Sequence, residues 1–187
     1  DHTWATEYSN DNSYHWYDCY TCDGIKDKVE HTPDETGECS ICKQLVGATE
    51  GVLYEVSFDG TYAEVIGYEG IAKKVLIADS YNGVPVTGIY SKAFYQNDNI
   101  IEVIIPDSVT IIGSSAFNEC SYLKKVKIPD SVISIGSYAF YMCSSLTSVE
   151  IPDGVTKIKS YAFEYCSSLT SIKIPSGLTE IGKNAFY

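Results

Sequence analysis

From Ile100 onward, apolar and polar positions recur with a period of 23 residues, and the chain runs through the same pattern four times, the fourth stopping at Tyr187. The first column of the pattern is Ile100, Leu123, Leu146 and Leu169; the fourth is Val103, Val126, Val149 and Ile172. The sixth is Ile105, Ile128, Ile151 and Ile174, each followed by a proline. Columns four and six obey the period of two that puts strand side chains on one face, and proline, which has no N–H to donate, stops the ladder. The pattern therefore predicts one short strand per copy and one parallel sheet from their stacking. Val109, Val132, Val155 and Leu178 stand three residues before Ile112, Ile135, Ile158 and Ile181, which predicts a second short extended segment. Phe117, Phe140 and Phe163 are each followed three residues on by Cys120, Cys143 or Cys166, a spacing that places both side chains on one side of a single helical turn. Gly113, Gly136 and Gly182 mark the bend before that turn; Lys159 fills the column in the third copy, which argues against an obligatory positive φ there.

Such a unit cannot bury its apolar side alone, so neighbouring copies must supply the core, and an opening with apolar residues at columns one, four and six belongs to the leucine-rich class. The expected fold is a mainly β repeat solenoid with short parallel strands and single helical turns. Upstream, a degenerate copy ends at 89–94, with Tyr81, Asn82, Gly83, Val84 and Pro85 inserted ahead of Val86; Asn-Gly is a turn signal. Segments 53–58 and 61–68 flank Asp59-Gly60 and predict a β-hairpin that covers the open edge of the first repeat. This divides the chain into a head at 1–47, a cap and degenerate repeat at 48–99, and the repeats at 100–187. Ile181 and Phe186 have no following copy in this sequence. The expectation is that further repeats, a partner or self-association covers that end.

Composition narrows the class of partner. The net charge is −12, and all 13 basic residues are lysines. An acidic chain without the bidentate guanidinium that usually grips phosphate is not a nucleic-acid binder. No stretch approaches the roughly 20 apolar residues of a membrane span, and 1–7 does not read as a signal peptide. The acidic balance, the 16 tyrosines and the abundant Ser and Thr suit an extracellular setting.

The head has few aliphatic residues but holds all three histidines, both tryptophans and the pairs Cys19-x-x-Cys22 and Cys39-x-x-Cys42. Two such knuckles with 16 residues between them match structural zinc sites, in which four thiolates close a tetrahedron and the metal supplies folding energy that so small a segment lacks. The competing reading is a pair of disulfides in an oxidising exterior. His31, between the knuckles, is a possible substitute for one sulfur or a hydrogen-bonding neighbour of the metal. With four thiolates bound, zinc has no open position for water, so the site reads as structural and not catalytic.

Within the repeats, Cys120, Cys143 and Cys166 are one full period apart, which makes them a stacked internal column of free thiols. Columns three and five carry the sheet-face charges. Glu102, Lys125, Lys127, Glu150 and Lys173 read first as a cross-strand ladder, with Lys127, Glu150 and Lys173 on successive strands about 4.8 Å apart, and secondly as a patch that contacts a ligand. Tyr138 and Tyr161 share a column, as do Tyr141 and Tyr187, placing rings on the turn surface beside Tyr122 and Tyr165. Packing between repeats accounts for them, and so does a contact surface for protein or sugar. Every histidine lies outside the repeats, and Gly67 to Gly70 forms a turn with no phosphate-loop spacing, so the expectation is that the chain is not an enzyme.

The unit L-x-x-I-x-I-P-x-x-V-x-x-I-G-x-x-A-F-x-x-C-x-x resembles the BspA-type leucine-rich repeat family of bacterial surface proteins, closely over 100–187 and more loosely over 48–99. The resemblance implies secretion, a cell-surface or extracellular location and adhesion to protein or glycan on host or neighbouring cells. It carries no fixed binding residues. The head, with His15-Trp16, the two cysteine pairs and His31-Thr32, is similar to small zinc-ribbon-like modules that accompany such arrays in anaerobic gut bacteria. The readings that remain beside recognition are an architectural spacer within a larger surface protein and an array that targets a fused enzyme. Metal analysis of chain produced with zinc is expected to find about one zinc per molecule, lost on replacing Cys19 and Cys42. Metal-free protein with intact disulfides would establish the bridged alternative instead.

Overall fold

The computed structural model describes residues 9–10, 14–18, 25–30 and 48–187. Cys19, Cys22, Cys39, Cys42 and His31, on which the zinc-ribbon reading rests, lie outside these residues. The chain forms two compact units, Asp1–Ala48 and Thr49–Tyr187. In the first, β1 (Ser9–Asn10), β2 (Tyr14–Asp18) and β3 (Ile25–Glu30) make an antiparallel sheet, with a register shift between His15 and Tyr17.

The second unit opens with the hairpin β4 (Val52–Val56) and β5 (Ala63–Tyr68), joined where Gly60 adopts a φ of 72°. The Asp59 carboxylate accepts the Ser57 hydroxyl and both the hydroxyl and the backbone N–H of Thr61, and these bonds lower its pKa. Next come β6 (Lys74–Leu76) and a second hairpin, β7 (Ser80–Tyr81) with β8 (Val84–Ile89). Asn82 and Gly83 turn it with φ of 51° and 79°, the two positive values a tight two-residue hairpin needs. Each later repeat contributes two short strands: β9 (Glu102–Ile104) and β10 (Ile111–Ile112), β11 (Lys125–Lys127) and β12 (Ser134–Ile135), β13 (Ser148–Glu150) and β14 (Lys157–Ile158), β15 (Ser171–Lys173) and β16 (Glu180–Ile181).

Two parallel ladders result. The second strands continue β5 and β8 in the order β4-β5-β8-β10-β12-β14-β16. The first strands were expected to form one sheet, but they form two, β6-β9-β11 and β13-β15. Between the ladders lies a single core of the fixed columns: Leu123, Leu146, Val109, Val132, Val155, Ile112, Ile135, Ile158 and the alanines before each Phe are all buried. Phe94, Phe117, Phe140, Phe163 and Phe186 stack face to face, with centroids 4.9, 5.2, 5.2 and 5.6 Å apart. Tyr68, from β5, lies 5.8 Å from Phe94, so the hairpin covers the first ring of the stack. Burying each of Phe94, Phe117, Phe140 and Phe163 contributes on the order of 1.5–3 kcal/mol, whereas Phe186 stays partly exposed.

The expected helical turns are absent. In each copy, columns 16 and 20 have left-handed backbone: Ser115 and Glu119, Tyr138 and Met142, Tyr161 and Tyr165. A right-handed helical turn cannot contain such residues. Amides instead alternate between bonds within the turn and bonds to the next repeat. Ser115, Phe117 and Glu119 donate to Ser137, Ala139 and Tyr141, whereas Asn118 and Cys120 donate to Ser115 and Phe117.

Gly113, Gly136 and Gly182 have no positive φ among the described residues; what demands glycine there is proximity. A Cβ on Gly113, Gly136 or Gly182 would lie 2.7, 2.5 or 2.4 Å from backbone atoms of the preceding repeat. Lys159 brings a real Cβ to this column, and its junction is the one that loosens. The bonds Gly113 to Ile89, Gly136 to Ile112 and Gly182 to Ile158 are each 2.8 Å, but Lys159 makes no such bond to Ile135 among the described residues. Nor does Thr156 donate to Ile133, although Thr110, Ile133 and Thr179 donate to their counterparts. The turn edge stays closed: Phe140 still donates to Ala162 at 2.8 Å. The second ladder thus has fewer bonds between repeats two and three, and the first sheet breaks at the same junction. Gly136→Ala is expected to cost about 1–3 kcal/mol in urea unfolding, because backbone must shift to admit the methyl group. Lys159→Gly is expected to restore the junction and slow hydrogen exchange at the Thr156 amide; unaltered exchange there would exclude the lysine as the cause.

Candidate functional site

The strand alternation that buries Val103, Val126 and Val149 sends columns three and five outward, except at Ile104, which is buried. Glu102 sits opposite Lys74 on one neighbouring strand and Lys125 on the other, at 4.0 and 3.6 Å. Glu150 and Lys173 face each other across β13 and β15 at 3.7 Å. Four of the five expected ligand-contacting residues therefore satisfy one another, in exposed pairs worth about 0–1 kcal/mol each. Lys127 does not join the expected ladder with Glu150, because β11 and β13 do not pair. It lines instead a cleft of about 410 Å³ with Lys125, Ile128, Asp130, Ser148 and Glu150. On the second ladder, Lys157 and Glu180 approach to 2.7 Å, raising the lysine pKa and lowering the carboxyl pKa through their hydrogen bond and charge.

The turn edge carries a different surface. Tyr138 and Tyr161 stack at 4.6 Å, and Tyr138–Tyr141, Tyr141–Tyr165 and Tyr165–Tyr187 meet edge to face at 5.5, 5.6 and 5.8 Å. Tyr138, Tyr161 and Tyr165 hold these positions with φ of 59°, 63° and 59°. Left-handed backbone is costly for a bulky residue, where glycine or asparagine sits easily. Partial desolvation and the charges of Glu164, Tyr165 and Glu119 raise the pKa of Tyr141. Glu119 is held by Gln96 at 2.9 Å and by the Tyr95 hydroxyl at 3.5 Å. Glu164 is only 5% exposed, the one buried charged residue among those described, and Asn184 donates to it at 3.0 Å. The sequence signal for this feature is slight: glutamate in a column that holds tyrosine or asparagine in the other copies.

Cys120, Cys143 and Cys166 are free and buried, as their spacing implied. Each thiol lies 3.0–3.1 Å from the carbonyl of a phenylalanine one repeat earlier, Phe94, Phe117 or Phe140. Burial pushes Cys120 and Cys166 up to about 12 and raises Cys143 well above its ordinary value. Thiolate, the reactive form, is therefore withheld. No group of three or more histidine, cysteine, aspartate or glutamate side chains suited to a metal occurs among the described residues. Nor is any helix there long and apolar enough to cross a membrane.

Paired short parallel ladders around a stacked aromatic core, repeated every 23 residues, define a leucine-rich repeat solenoid. The family model of the BspA type leucine rich repeat region, which itself spans six copies, matches residues 87–187, more than half of the chain, and the protein belongs to that family. A leucine rich cell surface protein from Faecalibacterium prausnitzii A2-165 is similar in structure, with TM-score 0.53 and 29% identity over 74% of this chain and 50% of its own. A leucine-rich repeat protein from Bacteroides capillosus ATCC 29799 gives TM-score 0.52 and 28% identity over 72% of this chain and 96% of its own. No curated protein sequence matches.

Because the folded thiol pKa values lie above the unfolded value near 9, their contribution to stability is fully present below pH 9 and is lost as pH rises towards 12. Unfolding midpoints are expected to hold from neutral pH to about pH 8.5 and to fall above pH 9, less steeply in Cys143→Ala. Iodoacetamide at pH 8 is expected to leave all three thiols unmodified in native protein and to label all three after denaturation, as read by peptide mapping.

Proposed function

We propose that the solenoid is a non-catalytic recognition module at the bacterial cell surface, which binds a protein or glycan of a host or neighbouring cell through its repeat surface. The observation that carries this reading is the division of labour within the 23-residue unit. The near-invariant columns are consumed by the core, while columns three, five and sixteen, half-buried or exposed apart from the buried Ile104, change from copy to copy on a fixed scaffold. Repeat arrays use such surfaces for binding. The cell-surface description of the Faecalibacterium relative supports the location.

A second reading is an architectural segment of a larger surface protein. The mutual pairing of Glu102, Lys74 and Lys125, and of Glu150 with Lys173, favours it, since charges that satisfy one another leave less to offer a ligand. A panel of matrix proteins, mucins and glycans, immobilised and probed with the whole chain, is expected to yield saturable binding to at least one member. The Lys125→Ala, Lys127→Ala, Lys173→Ala variant is expected to lose about tenfold in affinity for acidic ligands such as mucins, the equivalent of about 1.4 kcal/mol. Unchanged binding in that variant removes the sheet face from the proposal; no binding to any member favours the architectural segment.

A further inference from the structure

Glu164 poses a problem that the fold itself does not solve. An ionised carboxylate has about four acceptor sites, and a charge withdrawn from water is normally paired. Glu164, at 5% exposure, has one neutral donor, the Asn184 amide, and no lysine within ion-pair distance among the described residues. Along the same column, two copies earlier, Asn118 Oδ1 is buried with no donor at all. The Glu164 carboxylate thus keeps acceptor capacity that no protein donor among the described residues fills, whereas Asn118 Oδ1 is closed off inside the fold, and the surrounding surface is aromatic.

The degenerate copy upstream of Ile100 already displays what such a surface accepts. There Lys92, in column sixteen, places its ammonium 5.7 Å from the centroid of Tyr95, in column nineteen. Ring faces attract cations, more strongly as water is excluded. In the later copies the column-sixteen lysine is replaced by Tyr138 and Tyr161, so the rings remain but the cation does not. The replacement places tyrosine in left-handed backbone at Tyr138, Tyr161 and again at Tyr165, where asparagine or glycine would sit without strain. Left-handed backbone is common to this column in every copy, Lys92, Ser115 and Asn184 included, so what suits an outside cation is the rings beside a carboxylate that has one protein donor.

We infer that the tyrosine edge of repeats two to four, centred on Tyr138, Tyr141, Tyr161, Glu164 and Tyr165, binds lysine or arginine side chains of a cationic protein segment. The inference rests on the recognition reading and specifies its partner. The cation seats against the rings and donates to the Glu164 carboxylate, with Glu119 providing further negative charge beside Tyr141. The chemistry is complementary to that of the chain, which carries a net charge of −12 and no arginine of its own.

The test is fluorescence polarisation with the whole chain at about 150 mM salt, where the field of distant surface charges is screened beyond about 8 Å. The probes are labelled octa-arginine and octa-lysine peptides, with an octa-glutamate peptide and a neutral mannan as comparisons. Saturable binding of the cationic peptides alone is expected. Glu164→Gln, which keeps the size and the contact to Asn184, is expected to weaken it about tenfold. Asp153→Asn, which removes one charge from an exposed position away from this edge, should change it less than twofold. The variant Tyr138→Asn, Tyr161→Asn, Tyr165→Asn is expected to lose binding with Tm unchanged within about 4 °C, because asparagine tolerates the left-handed backbone. Wild-type affinity in Glu164→Gln overturns the inference. So does an equal loss in Asp153→Asn, which would mean attraction to an acidic surface in general. A collapse of Tm in the tyrosine variant would assign the rings to packing and leave Glu164→Gln to decide. Binding of mannan or matrix protein without binding of either cationic peptide would overturn this inference alone and leave the recognition reading intact.

Discussion

Everything in the repeat unit of this protein depends on one spacing. Except between β11 and β13, each copy pairs with the next on both ladders and on the turn edge, so all columns must advance by about one strand separation, 4.8 Å, at once. The phenylalanine stack, with centroids 4.9–5.6 Å apart, runs slightly longer than that separation. Thiols fit the same rule, each reaching back to a carbonyl of the preceding copy. A side chain that tolerates this spacing can be repeated indefinitely, and one that does not must be excluded from its column.

The spacing explains why the glycine column is strict although no unusual torsion requires it. The backbones at Gly113, Gly136 and Gly182 come too close to the preceding turn for a Cβ. Lys159 breaks the rule, and the ladders on its side of the coil lose bonds while the turn edge keeps its own. At the same junction β11 and β13 do not pair, and the cleft beside Lys127 lies there.

Most of the core was legible in the sequence because periodicity reports burial directly: a column that must face its own copy in the next turn can hold only what packs against itself. The hairpins were legible too, since Asp59-Gly60 and Asn82-Gly83 are chemically suited to their torsions. The left-handed columns were not. Ser115, Tyr138 and Met142 carry no compositional mark of a conformation that their own propensities disfavour, and the spacing of Phe and Cys imitates a helical turn. The sheet-face charges could be placed by strand alternation, but their pairing depends on which strands meet, and β11 and β13 do not. Glu164 was hidden for a similar reason: its burial comes from the neighbouring copies, and nothing in its own repeat announces it. The cysteine pairs of the head stand outside the described residues.

The junction at Lys159 also governs cooperativity. In a linear array each copy is stabilised by its two neighbours alone, so the free energy of the whole is a chain of nearest-neighbour couplings. A junction with fewer bonds is a weak link in that chain. An unfolding front that starts at either end meets there the lowest resistance to stopping, and the two sides of the link can melt as separate blocks while their inner contacts are untouched. The number of bonds at a single junction can in this way set how many independently unfolding parts the solenoid has.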